Sequence, residues 1–359
     1  LRQGRVFGKQ YLPGFNILTS AAAVFADTKQ ARWLDFLAAF RAWLFLAILL
    51  LTFEIWARAA YNTTFLFNPF NIKSIAIYTV TPLLLALGQT FVIISGGIDL
   101  SVGFTMGLSA VVTAHVFNWA AQFGSPVVSL IAAIIAGLGI AVVPGLINGL
   151  LIADLRVPPF IGTLGMYGVA RGVAYLLANG TTVPVHGGLL GEIGNGETLG
   201  LPNLVLLTIL ILLAMHYLLS QTRYGQHVYA VGGNVNAALR AGINVRNNTL
   251  VLYVLSALSA GCAGIFYTAQ FNAGAAQAGE PVLLDSIAAV VIGGASLFGG
   301  SGTIVGTIIG ALIIAVIQYG LVFVNVEPFW QFVAVGVVII ISVLVDQIQK
   351  GVGKDGARG

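Results

Sequence analysis

The sequence has 359 residues, 58% of them hydrophobic and 8% charged, with Lys and Arg exceeding Asp and Glu to give a net charge of +4. A soluble domain carries roughly 25% charged residues, so this chain has too little charge to coat a globule, and apolar runs of about 20 residues recur along it. That excludes a soluble enzyme or a nucleic-acid binder, and the single cysteine, Cys262, excludes an internal disulfide and any multi-cysteine metal site.

In chain order, residues 1–35 form a mixed tail with Arg2, Arg5, Lys9, Lys29 and Arg32. A first span is expected over 36–57 and a second over 72–94, the latter interrupted by Pro82 and ended by Gly96-Gly97. A third covers 100–117, a glycine-rich fourth 127–153, and a fifth 160–178 after Pro158-Pro159. The connector 179–202 holds Glu192 and Glu197 with no Lys or Arg, and a sixth span follows over 203–219. Residues 221–248 are the one long polar segment with positive charge, carrying Arg223, Arg240 and Arg246 and no acid. A seventh span covers 250–271. The run 285–297 is too short to cross about 30 Å as a straight helix, so it is an earlier-starting span or a half-helix packed in the bundle. Spans over 303–324 and 329–345 complete about ten crossings, before a basic tail, 346–359, with Lys350, Lys354 and Arg358.

With both termini in the cytoplasm, this count puts the acidic connector outside and the basic segment inside, as the positive-inside rule requires. Arg58 and Lys73 are the exceptions. The expected fold is an all-α integral membrane protein whose spans two to five and seven to ten form two inverted four-helix blocks, with short or broken helices.

No phosphate-binding Gly-x-x-x-x-Gly-Lys-Ser/Thr loop is present, so the chain is not expected to hydrolyse ATP. The four histidines are scattered without metal-ligand spacing, and neither catalytic residues nor a bound cofactor or metal is expected. The sharpest local signal is Gly96-Gly97-Ile98-Asp99-Leu100-Ser101-Val102-Gly103. Paired glycines free the backbone to turn, and Asp99 or Ser101 can cap the next helix. Two readings stand there, an ordinary helix junction or a broken helix lining a polar path. Val291 to Gly302 is a second breaking point, read as packing.

Glu54, Asp99, Arg171 and Asp285 are ionisable groups in or near spans and must face protein or water. Glu54 is expected to snorkel, Arg171 to pair with a carboxylate on another helix, and Asp285 to stand at a helix start. Asn148, Gln318 and Tyr319 are neutral hydrogen-bonding groups suited to an uncharged polyhydroxyl ligand. The candidates for a translocation path are Gly96, Gly97, Asp99, Ser101, Asn148, Asp285 and Gln318.

These residues resemble the permease subunits of ribose-type ABC sugar importers. The resemblance rests on Gly96 to Gly103, on Thr222, Gly225 and Tyr229 to Asn234, and on Asp285 to Gly300, and it runs from about residue 71 to 345. It implies a permease dimer, homomeric or heteromeric, in the bacterial inner membrane. It also implies a cytoplasmic ATPase that carries the ATP, and a soluble protein delivering a monosaccharide from the periplasm or outside. The ATPase-docking element it implies is Asn236, Ala237, Ala238, Arg240, Gly242 and Ile243, with Asn236 standing where the family has Glu. An ion-coupled secondary transporter using Asp99 or Asp285, and a passive channel, are the rival classes.

Overall fold

The computed structural model describes Phe40 and residues 42–327 and 329–355; the tail expected over 1–35 lies outside them. Among the described residues, seven helices are long and apolar enough to cross a membrane: α1 (Ala42–Tyr61), α2 (Pro69–Ile94), α4 (Pro126–Ala153), α5 (Pro159–Leu177), α7 (Asn203–Gln221), α10 (Val245–Phe271) and α12 (Ile304–Phe323). Between them lie α3 (Val102–Ala121), the short α6 (Leu189–Asn195), α8 (Arg223–Gly233), α9 (Val235–Arg240) and the 13-residue α11 (Glu280–Ile292). The last helix among the described residues is α13 (Phe329–Asp355), which continues past residue 345.

The helix ends follow from local chemistry. Pro69, Pro126 and Pro159 each occupy the first turn, where the missing N–H costs nothing. Asn68 and Ser125 cap the first two of these, their side chains accepting from the amides of Phe70 and Val128. At the other ends, Asn62, Asn179, Asn272 and Asn325 all adopt left-handed backbone, at φ 50°, 50°, 50° and 57°. Asparagine tolerates that conformation better than other residues with a Cβ, so these four positions stop α1, α5, α10 and α12.

Packing exchanges partners between the two halves. Helix α10 lies against α3 and α4, while α2 lies against α11 and α12, and α2 and α10 pack on each other. At their crossing, Gly88 faces the Ser256 backbone so closely that a side chain there would sit 2.8 Å from the Ser256 Cα.

Sheet is confined to two small antiparallel pairs among the described residues. Strand β1 (Val183–Pro184) pairs with β4 (Ala273–Gly274), and β2 (Glu197–Thr198) with β3 (Leu201–Pro202). The first pair joins the connector after α5 to the one after α10, reinforced by the Val185 amide donating to the Asn272 carbonyl at 2.8 Å. Those two connectors therefore lie on one side of the protein. Lys73 forms an ion pair with Glu197 at 2.7 Å, and Arg58 one with Glu54 at 2.6 Å, so both exceptions to the charge rule are neutralised locally. Glu54 is buried rather than snorkelling, because it also accepts from the amides of Phe65 and Leu66 at 2.8 and 2.9 Å.

Candidate functional site

Three glycine-rich stretches, widely separated in sequence, converge at one junction. The Gly300 amide donates to the Ile94 carbonyl at 2.7 Å, where α2 ends. Gly232 on α8 lies directly over that carbonyl, and any side chain at Gly232 would overlap both it and the Gly300 amide. Gly96 and Gly299 have φ of 84° and 85° and lie against each other. The Tyr229 hydroxyl donates to the Gly302 carbonyl at 2.7 Å. The Val291 to Gly302 segment thus does more than pack helices: with Gly96 it forms the bed on which α8 rests.

From this bed the chain passes into α9, which is capped at both ends. Asn234 accepts from the Ala237 amide at 3.0 Å. At the C-terminus Gly242, at φ 82°, lets its own amide reach the Leu239 carbonyl while Ile243 reaches that of Ala238, both at 3.0 Å. This is a Schellman closure, which satisfies carbonyls the helix would leave orphaned. Asn236, Ala237, Arg240 and Gly242 are exposed, Ile243 is half-buried, and Ala238 points inward. Val235 and Leu239 are exposed apolar residues on the same short helix. Val235 lies one residue before the docking element expected from the sequence, and its spacing of four from Leu239 puts the two on one helix face. Arg246, at the start of α10, grips Asp154 beyond the end of α4, with one guanidinium bond at 2.9 Å and a shorter second one.

Behind the junction lies a buried carboxylate. Asp99 is fully enclosed: its Oδ1 accepts from the Ser101 amide at 3.0 Å and hydroxyl at 2.6 Å, and its Oδ2 from the Ser256 hydroxyl at 2.8 Å. Asn148 donates to the Ser101 hydroxyl at 2.9 Å, and Gln89 donates to the Asp99 carbonyl. Ser101 occupies the cap position of α3 but makes no capping bond, because its hydroxyl is turned to Asp99. Gly97, half-buried, leaves room for the Tyr253 hydroxyl, which would lie 2.8 Å from a Cβ there. Four of the path candidates, Gly97, Asp99, Ser101 and Asn148, thus sit at or beside one knot joining α2, α3, α4 and α10, while Gly96 is exposed beside it.

Asp285 and Gln318 meet elsewhere, the amide of Gln318 donating to Asp285 at 2.7 Å. Helix α11 starts at Glu280, so Asp285 lies in its second turn rather than at its start. Asp285 lines a cavity of about 720 Å³ between α10, α11 and α13, together with Tyr267, Gln277, Glu280, Phe332 and Gly336. Arg171 is exposed on α5, and no carboxylate among the described residues reaches it. Its guanidinium lies over the rings of Phe104 and Tyr175, 5.3 and 5.9 Å from their centroids.

Residues 71–343 match the family described as branched-chain amino acid transport system / permease component. Among curated proteins, the ribose import permease protein RbsC of Escherichia coli K12 is 39% identical over 282 residues, covering 77% of this chain and 85% of that protein. RbsC of Bacillus subtilis is 39% identical over 288 residues, covering 80% and 87%. The xylose transport system permease protein XylH of Haemophilus influenzae is 33% identical over 341 residues, covering 78% and 89%. No solved structure matches the chain at a comparable level.

Proposed function

The chain belongs to the family of permease components matched over residues 71–343, and from that premise we propose that it is the translocation subunit of an ABC importer carrying a monosaccharide of the ribose, xylose or allose kind. It binds no cofactor of its own; ATP is held and hydrolysed by a separate cytoplasmic subunit. Delivery is by a sugar-binding protein, set in this reading on the side of the two connectors that the β1–β4 pair joins.

One observation carries the mechanism. The capped helix α9 continues directly from α8, and α8 rests on the junction between the end of α2 and the Gly299-Gly300 turn. An ATPase engaging α9 through Val235, Asn236, Leu239 and Arg240 would therefore move the ends of both membrane-embedded breaks at once. Alternating access needs only that the ATPases bind one of two arrangements more tightly than the other. The partner exchange of α2 and α10 supports ten crossings in two inverted blocks, each lending its first helix to the other. Both termini are then cytoplasmic, on the side of α8 and α9.

A second permease copy or paralogue covers α5. Arg171 would cost roughly 2.5–3.5 kcal/mol facing the bilayer centre, so its face meets protein or water. Gly165, Gly168 and Gly172 lie on that exposed side with no neighbouring atom within 4 Å of where a Cβ would be, leaving room for close approach. The test is uptake into proteoliposomes with and without the ATPase and the binding protein. Sugar accumulation is expected only with both; accumulation driven by an ion gradient alone would overturn the reading.

A further inference from the structure

The cavity between α10, α11 and α13 has features that the docking and coupling elements do not use. Its volume, about 720 Å³, falls within the roughly 300–1,000 Å³ typical of small-molecule sites. Its polar lining is acidic, with Glu280 and Asp285, and among the described residues no Lys, Arg or His lines it. Gln318 occupies Asp285 Oδ2, but Asp285 Oδ1 and the side chains of Glu280, Gln277 and Tyr267 have no hydrogen-bond or ion-pair partner among the described residues. Asp285 is only 6% exposed, yet its Oδ1 stays open to the cavity, where a ligand hydroxyl can donate to it. Tyr267 and Phe332 add aromatic surface to the same wall.

Ionised carboxylates only accept hydrogen bonds, and a polyhydroxylated ring is a dense array of donors with an apolar C–H face. We infer that this cavity is a sugar subsite on the translocation path, where Glu280 and Asp285 take the hydroxyls of a neutral monosaccharide and Tyr267 and Phe332 cover its C–H face. The inference rests on the importer reading above and adds a selection rule. Two carboxylates without a counter-cation repel anions, so sugar phosphates and uronic acids are rejected here whatever the delivering protein binds.

Gly336 provides a clean test. It lines the cavity on α13, and no atom lies within 4 Å of where its Cβ would be, so a side chain can start there without a clash and reduce the cavity. In proteoliposomes with ATPase and binding protein, Gly336→Phe is expected to lower uptake of a neutral monosaccharide at least tenfold, with ATPase co-purification and dimer recovery unchanged. Glu280→Gln is expected to narrow the preference for the neutral sugar over its uronic acid. As a readout independent of ATP-driven uptake, maleimide labelling of Gln277→Cys in a Cys262→Ala background should be slowed by millimolar neutral monosaccharide, and this protection should vanish with Gly336→Phe.

Wild-type uptake by Gly336→Phe together with absent labelling protection would overturn the subsite while leaving the importer reading intact. Loss of uptake in step with lost dimer or ATPase recovery would also overturn it, making the cavity an assembly surface. Failure of the unmodified protein to import any monosaccharide with both partners, despite labelling protection, would instead count against the importer reading.

Discussion

The Gly300 amide and the Ile94 carbonyl, 2.7 Å apart, tie the end of one membrane helix to the turn that precedes another. Gly232 lies on this bond, and only a hydrogen fits where a side chain would be. Replacing Gly232 with Val must push α8 off its bed, an overpacking that costs about 1–3 kcal/mol. Gly232→Val is expected to insert normally yet lose most uptake; uptake per inserted molecule equal to wild type would contradict the coupling role of the junction.

Helix α9 offers a second test. Leu239→Asp replaces exposed apolar surface with charge and is expected to weaken ATPase association about tenfold or more, the loss typical of an interface anchor. Gly242→Val should act less directly, since forcing a branched residue into the left-handed region costs about 1–2 kcal/mol and frays the cap. Titrated pull-downs with the ATPase measure both. Unchanged binding by Leu239→Asp would move the docking surface elsewhere.

The Asp154–Arg246 pair anchors the base of the docking segment to the turn after α4. The hydrogen bond from the guanidinium holds the Asp154 carboxyl below its ordinary value of 3.8. A depressed folded-state pKa gives stability that is present above the unfolded carboxylate value of about 3.9 and is lost as pH falls through the folded one. The anchor should therefore hold from about pH 8 down to 5. Both groups are accessible to water, so high salt is expected to weaken it and Asp154→Asn to mimic that effect. ATPase activity stimulated by the binding protein is the measurement, and equal salt sensitivity in wild type and Asp154→Asn would rule the anchor out.

Asp99 joins Ser101 and Ser256 in a closed network. Asp99→Leu leaves those buried donors without an acceptor, at about 1–3 kcal/mol each, whereas Asp99→Asn keeps one acceptor. Thermal unfolding in detergent should rank wild type above Asn, and Asn above Leu. A Leu variant as stable as wild type would mean the knot is dispensable for folding.

Cysteine placed at Gly168 on α5 should crosslink with a short bis-maleimide to a neighbouring permease copy. A crosslinked dimer is the expected product. Its absence in samples that still bind the ATPase would show that another face of the chain forms the dimer.

Much of this architecture was legible locally. The stops at Asn62, Asn179, Asn272 and Asn325 and the starts at Pro69, Pro126 and Pro159 are written in residues whose backbone preferences act over a few positions. The polar segment after α7 could be read as charge and as a candidate docking element, but not as two helices, because the closure at Gly242 and the cap at Asn234 depend on backbone geometry. For the same reason Ala238 looked like an accessible contact, whereas it faces inward and Val235 and Leu239 face out.

The sequence by itself determined that the chain lives in a membrane and that glycine-rich breaks follow α2 and α11, since hydropathy and glycine pairs are properties of short stretches. Only the tertiary structure decided that Gly96, Gly232 and Gly299 meet, that Asp99 closes a buried network, and that Asp285 with Glu280 lines an acidic cavity. Those relationships join residues remote along the chain, and no local preference encodes which buried donor will find which acceptor once the helices pack.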